Sequence, residues 1–391
     1  MNTSSHFDVV IVGAGCAGLA AAKSLEEKNI LIVDKNNYVG GRVCSKQINT
    51  SNVELGALYP ICEENNSTYK SQSSINKKLN ITYYSDSSEK LTGHSAINIL
   101  EKLATKDDGS VNKFFKPFRT INSSLGLRIT NPHYGNTEIL NKSQIKAANA
   151  FFQVTNAGYL EDLRPEITPL AIQNLNTPNL HNKNIDRLAD LKLINPNKIL
   201  LNSCVLSIRT LNNSIVETLI NHNGTVLSIT SNYSLVTAPP SQIFHTIQDI
   251  NPNSTNFYSN INYSSGTVCI YEVTGLVSKE DLIVSAVENW SAIHISRKTN
   301  DTHILHVYFP EVRFPNIDLD PKDQITKIRS YLSESFHVEH FIKKYWKDLS
   351  PNFPNRCFEN YFPDLYKLSE KIWFAGEIAL LSPSNIYCFG T

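Results

Sequence analysis

Short apolar runs separated by polar and glycine-rich breaks open this chain. Residues 7–12 are apolar and rich in β-branched side chains, interrupted only by Asp8 and closed by glycine, which predicts a buried strand. Residues 16–28 begin with small side chains and continue with Leu and charges, a pattern that suits a helix. Residues 29–33 form a second apolar run. Together these predict a βαβ unit, because parallel strands need a crossover connection. From about residue 60 to 190 the sequence is mixed and polar with helical stretches, such as 144–154 and 185–193. Residues 198–208, 214–220 and 225–236 then read as successive strands, with Asn223-Gly224 supplying a turn and Ala238-Pro239-Pro240 ending the block. Further strands are expected at 266–273, 282–287 and 303–308, a helix at 321–336, and a last apolar strand at 371–375. No repeat or low-complexity linker divides the chain, so two lobes that exchange the chain several times are expected.

The first break carries chemistry. Gly13-Ala14-Gly15-Cys16-Ala17-Gly18 satisfies G-x-G-x-x-G between a strand and a helix. Gly13 permits the tight turn, Gly15 lets the backbone approach a pyrophosphate, and Gly18 lets the helix pack close to the strand. The pyrophosphate would lie at the helix N-terminus, where free N–H groups and the macrodipole favour negative charge. Asp34 ends the second strand about twenty residues further on, where a carboxylate can accept from ribose hydroxyls and repel a 2′-phosphate.

Composition narrows the partners. Lys+Arg and Asp+Glu balance at 36 each, which gives no electrostatic case for a nucleic-acid or anionic-membrane partner. The seven cysteines are scattered without a C-x-x-C pair, which argues against a disulfide framework or zinc site and for a reducing, cytoplasmic compartment. Residues 1–6 lack the plan of a signal peptide, and the longest apolar run, 9–22, is too short to span a bilayer. No metal site is expected, and the eleven histidines read as ordinary surface or core residues.

After Asp34 come Lys35-Asn36-Asn37-Tyr38-Val39-Gly40-Gly41-Arg42. This run resembles the acid-then-Gly-Gly-Arg signature of the flavin-containing amine oxidoreductase superfamily, which includes monoamine oxidases, amino-acid oxidases and renalase. The resemblance implies FAD, with the Gly-Gly backbone and the Arg42 guanidinium serving its pyrophosphate. Glu54-Leu55-Gly56-Ala57-Leu58-Tyr59 is similar to the family segment that runs beneath the flavin ring. Residues 201–208 resemble the strand whose valine, here Val205, holds the adenine through its backbone. Residues 235–240 resemble the strand that returns after it. Phe374-Ala375-Gly376-Glu377 matches a family motif whose acid sits near the pyrophosphate and ribityl chain. The cofactor contacts implied are therefore Gly13 through Gly18, Asp34, Lys35, Gly40, Gly41, Arg42, Gly56, Ala57, Leu58, Val205, Gly376 and Glu377. Tyr387, Phe358 and Tyr59 are the implied aromatic walls beside the flavin. Cys357 stands where monoamine oxidases attach the flavin covalently. The glycines that normally precede it are absent, so a non-covalent flavin is expected, with the covalent link as the alternative.

The resemblance implies an α/β fold: a Rossmann-type FAD-binding domain of the glutathione-reductase kind, interleaved with an α+β substrate domain. The expected FAD-binding parts are 1–60, 191–250 and 346–391, and the substrate parts are 61–190 and 251–345. Three departures qualify the expected chemistry. Thr267 stands where oxidases of this group place a lysine near flavin N5. His181-Asn182-Lys183 replaces a glycine pair. The sequence ends at Thr391, where the final helix is expected to begin. The implied function is hydride removal from a C–N bond of a small amine, amino acid or related intermediate, with dehydrogenase-type reactivity favoured over oxidase. A degenerate FAD-binding protein without turnover and a flavin-dependent desaturase or isomerase are the alternatives. The substrate and the oligomeric state are not read from these residues.

Overall fold

The chain begins with β1 (His6–Val12), α1 (Cys16–Ser24) and β2 (Ile30–Val33). Strands β1 and β2 pair in parallel, Val9 to Val12 against Ile30 to Val33, so the expected βαβ unit is present. The computed structural model describes residues 6–49, 51–56, 79–85, 90–107, 142–156, 158–159, 195–212, 214–248, 250–259, 261–299, 301–313, 320–332, 335–352 and 367–376. A two-stranded ribbon follows, β3 (Ser45–Ile48) against β4 (Ser51–Glu54). Next come β5 (Ile81–Tyr84), β6 (Lys90–Gly93), α2 (Ala96–Asp107) and α3 (Lys142–Asn156). The helix expected at 144–154 is thus α3, and the one expected at 185–193 lies outside the described residues.

The run at 198–208 forms two strands instead of one, β7 (Ile199–Leu200) and β8 (Ser203–Leu211). Between them Asn202 takes φ +51°, a left-handed conformation that asparagine tolerates and that breaks an extended run. β9 (Ile215–His222) and β10 (Thr225–Val236) form a hairpin whose two turn residues, Asn223 and Gly224, both have positive φ. That is the backbone a two-residue turn needs to follow strand twist. The short α4 (Pro240–Ile243) and α5 (Pro252–Ser259) lead to β11 (Asn262–Thr274), β12 (Leu282–Ser285), β13 (Ala292–Arg297) and β14 (Thr302–Pro310). After α6 (Pro321–Leu332), β15 (His337–Asn352) returns along β11, and β16 (Ile372–Phe374) closes the described chain.

Two large sheets result. The first runs β7-β2-β1-β10-β9-β8, with β16 also paired to β10. β1, β2, β7 and β16 are joined by parallel pairs, and the β8-β9-β10 meander is antiparallel. The second runs β15-β11-β14-β13-β12-β5-β6, antiparallel except for β12 beside β5. One buried cluster joins Val10, Val12, Leu31 and Val33 of the first sheet to α2, α3 and the β5-β12 side of the second. The opposite face of the second sheet packs under α6 through Tyr271, Leu305, Val307, Ile325 and Ile328. The fold class is therefore mixed α/β with a Rossmann-like unit, as the sequence pattern implied.

Candidate functional site

Every glycine of the first turn has a measurable constraint or opening. Gly13 has φ +113°, and a Cβ there would sit 2.6 Å from Thr237 Oγ1. A Cβ on Gly18 would lie 1.9 Å from the Gly13 carbonyl oxygen, which is why helix and strand can approach only with glycine there. Around Gly15 the opposite holds: a Cβ would meet nothing within 4 Å. Gly15 caps α1 without a side-chain hydrogen bond, and no acid occupies the first helical turn. The positive end of α1 thus faces open space, an arrangement suited to an anion.

Neighbouring elements close on this turn. The Gly40 amide donates to the Ala14 carbonyl at 2.7 Å, and Gly15 and Gly40 form a parallel bridge. Gly41 takes φ +60°, and a Cβ on it would lie 3.2 Å from the Gly15 Cα. The Gly-Gly pair is therefore needed to seat one loop on the other, whatever it binds. Asp34 is anchored by protein amides: Oδ2 accepts from the Ala14 N–H at 2.6 Å, and Oδ1 from the Asn36 backbone and side-chain amides at 2.8 and 2.9 Å. Ser203 N donates to the Asp34 carbonyl at 2.8 Å, which starts β8 beside the acid and brings Val205 two residues further along. Val205 is buried at a register shift against β9. Ala375 N donates to the Val236 carbonyl at 2.8 Å, and a Cβ on Gly376 would lie 3.7 Å from the Thr237 carbonyl, so the end of β16 reaches the same turn.

Two of the expected cofactor cations have protein partners. Arg42 Nη1 donates to the Leu349 carbonyl at 2.6 Å, and Lys35 Nζ donates to Gln242 Oε1 at 2.6 Å. Gln242 Nε2 continues to the buried Asp348 Oδ2 at 2.7 Å. Both cations thereby tie the dinucleotide-type turn to the end of β15, a contact between segments three hundred residues apart that no local pattern announces. Beside them burial, together with the nearby Cys44 and Asp34, raises the pKa of Tyr38. Burial also raises that of Cys44, against the lowering pull of Lys344.

The ribbon then docks on the second sheet. Trp346 Nε1 donates to the Leu55 carbonyl at 2.6 Å, Asn49 Nδ2 to Glu272 Oε2 at 2.8 Å, and His306 Nε2 lies 3.1 Å from the Glu54 carbonyl. A Cβ on Gly56 would lie 1.8 Å from the Arg42 carbonyl oxygen and 3.2 Å from the Trp346 ring, so the chain leaves the ribbon through a gap that only glycine fits. Cross-strand pairing puts Val268, Ile270, His294, His306 and Tyr308 on this ribbon-facing side. Thr267 pairs with Phe309 and Tyr345, on the other side. Thr267, expected at the lysine position, thus lies on the side of the sheet turned away from the ribbon. A cation on the ribbon-facing side comes from the neighbouring strand, where Lys344 stacks over Trp346 at 4.8 Å and Tyr38 at 5.7 Å.

Ala57, Leu58, Tyr59, Cys357, Phe358, Glu377 and Tyr387, and the 181–183 segment, lie outside the described residues. Among the described residues, Cys44, Cys204 and Cys269 are free thiols, no helix is long and apolar enough to cross a membrane, and no metal-holding cluster occurs.

Comparison with known proteins agrees with this geometry. A family model described as an NAD(P)-binding Rossmann-like domain matches residues 11–68. A flavin-containing amine oxidase of Oncorhynchus mykiss is 39% identical over 62 residues, covering 15% of this chain and 12% of that protein. Cyclohexylamine oxidase from Brevibacterium oxydans superposes with a TM-score of 0.69 at 15% identity, over 97% of this chain and 95% of that one. The fold is that of the flavin-containing amine oxidoreductases. Putrescine oxidase bound to putrescine has the same amine oxidoreductase fold, with a TM-score of 0.64 at 13% identity over 99% of this chain and 98% of that one. The amine oxidoreductase fold thus extends over nearly the whole chain, whereas the sequence match to the fish enzyme is confined to a short stretch.

Proposed function

We propose that the protein is an FAD-dependent oxidoreductase that removes a hydride from a C–N bond of a small amine or amino acid. The observation that carries this reading is the open N-terminus of α1 at Gly15, framed by Gly40, Gly41 and Asp34. Such a cradle fits a pyrophosphate, and the Gly-Gly-Arg run after the acid favours FAD over NAD. Gly13 to Gly18 would hold the pyrophosphate, Asp34 the ribose, Val205 the adenine, and Gly376 with Glu377 the ribityl side. Lys35, Arg42 and Gly56 to Leu58 would border the cofactor, with Tyr59, Phe358 and Tyr387 as aromatic walls. When bound, FAD supplies the hydride acceptor. The residues of this chain bind it, orient the substrate and exclude water. Asp34 is three-quarters committed to amides already, so a ribose hydroxyl would take its remaining acceptor capacity or displace Asn36.

Dehydrogenase-type reactivity and a non-covalent flavin complete the proposal, with a reducing, cytoplasmic setting suggested by the dispersed cysteines. The test begins with acid precipitation of the purified protein: FAD is expected in the supernatant, and flavin in the pellet would indicate a covalent link at Cys357. Anaerobic mixing with amines should then bleach the flavin, and slow recovery in air is expected for a dehydrogenase. Stoichiometric peroxide would count against that refinement. A yellow protein that no amine or amino acid bleaches would favour a binding protein without turnover, and a colourless one that takes up no FAD would end the flavin reading.

A further inference from the structure

Two buried polar atoms belong to side chains on the ribbon-facing side of the second sheet, and neither has a hydrogen-bond partner among the described residues. They are Nδ1 of His306 and the hydroxyl of Tyr308, two positions apart on β14. Strand alternation places both on one face, roughly 6.7 Å apart at Cα. His306 is only 3% exposed, and its other ring nitrogen is fixed against the Glu54 carbonyl. A carbonyl can only accept, so Nε2 carries the proton and Nδ1 is a bare acceptor. Burial, reinforced by the nearby His294, drops the His306 pKa to about 3, so the ring stays neutral under ordinary conditions. Burial likewise raises the Tyr308 pKa, which keeps its hydroxyl protonated.

Buried polar groups are normally paired, and an unpaired one costs stability. Unpartnered buried atoms occur elsewhere too, among them those of Thr218, Ser231 and Ser234 in the first sheet and of Tyr271 and Trp290 in the cluster under α6. The β14 pair is different in position. Tyr308 packs against both the ribbon cluster and the cluster around α2 and α3, and His306 is held by Glu54, two residues before Gly56. That is where the chain enters the segment assigned above to the flavin ring.

We propose that His306 and Tyr308 form the polar subsite that binds the substrate's amino group, an inference that rests on the amine-oxidising reading of the site. A neutral primary amine has two N–H donors: one meets His306 Nδ1 and the other the Tyr308 hydroxyl oxygen. The nitrogen lone pair is left free, as departure of a hydride from the adjacent carbon requires. The same geometry ranks ligands by N–H count, primary above secondary above tertiary, because a tertiary amine offers no N–H to His306 Nδ1 and can engage Tyr308 only by accepting its O–H.

The test measures binding by calorimetry and thermal shift at alkaline pH, with benzylamine and N,N-dimethylbenzylamine as probes and FAD content recorded for each preparation. Wild type should bind benzylamine at least about tenfold more tightly than the dimethyl analogue. Tyr308→Phe should weaken benzylamine about tenfold and leave the melting temperature equal or higher, because the hydroxyl has no protein partner to lose. His306→Gln, which keeps a donor for the Glu54 carbonyl and an amide oxygen in place of Nδ1, should retain the preference. Absence of benzylamine binding, unchanged affinity in Tyr308→Phe, or a lowered melting temperature in that variant would overturn the inference. A yellow protein without the preference sinks only the subsite, whereas a colourless protein that shows it sinks only the flavin reading.

Discussion

At the turn from Gly13 to Gly18 the working groups belong to the backbone, and side chains matter there chiefly by being absent. On the ribbon-facing side of β14 the reverse holds, and the working groups are the His306 ring and the Tyr308 hydroxyl, set on an otherwise regular strand. The first region tolerates no added atom at Gly13 or Gly18 and is open at Gly15. The second carries polar atoms whose partners the described residues do not supply. The contrast teaches where each kind of recognition would be stored under the proposed function: charge complementarity to a phosphate in a loop's conformation, discrimination among substrates in a sheet's alternation.

The sharpest way to break the comparison is at Gly18. Gly18→Val would drive a side chain into the Gly13 carbonyl, and we expect about 4 kcal/mol or more of destabilisation with loss of bound flavin, read by urea denaturation and absorbance. On the sheet side the largest effect is a pH dependence. The folded pKa of His306 is depressed to about 3 from an ordinary 6.5, so the unfolded chain binds the extra proton between those values. Its contribution is therefore complete above about pH 6.5 and lost as pH falls, at about 1.4 kcal/mol per pH unit. His306→Gln should flatten the stability profile between about pH 4 and 6.5 by some 3 kcal/mol in total, measured by denaturant titrations at stepped pH. A profile unchanged by the substitution would refute the buried neutral ring.

Asp34→Asn tests the turn more gently. It removes the charge that holds the Ala14 and Asn36 amides, and about 2 kcal/mol of stability together with weaker FAD retention is expected. The smallest effect belongs to neither region. Arg209→Ala breaks a hairpin ion pair to Glu217 whose arginine is half exposed, and the change should stay within about 0.5 kcal/mol with flavin content unaltered. A larger effect there would mean that the antiparallel meander contributes to the cradle.

Much of the first region was legible because its signals are local. The apolar runs before and after the turn became β1 and β2, and each glycine sits where spacing alone placed it. Strand β10 matches its sequence bounds because a positive-φ turn and a proline pair punctuate it on both sides. Strand β15 gave no such signal. Its sixteen residues carry Lys343, Lys344 and Lys347 without clean alternation, as suits the edge of a sheet, and only pairing with β11 makes them a strand. The ribbon of β3 and β4 was equally silent, since its four-residue strands gain their burial from a sheet two hundred residues away.

The sequence by itself determined the turn proposed to cradle a phosphate, because a backbone that must turn at Gly13 and pack closely at Gly18 admits only glycine at those two positions. It also determined the acid that follows the second strand. Tertiary structure alone decided what those groups do: Asp34 braces the turn through Ala14, and Lys35 and Arg42 fasten it to β15. It alone turned Thr267 away from the ribbon and brought His306 and Tyr308 toward it. The physical reason is that a turn is specified by neighbouring dihedral angles, whereas a side chain's partners are specified by strands that meet only when the chain has folded.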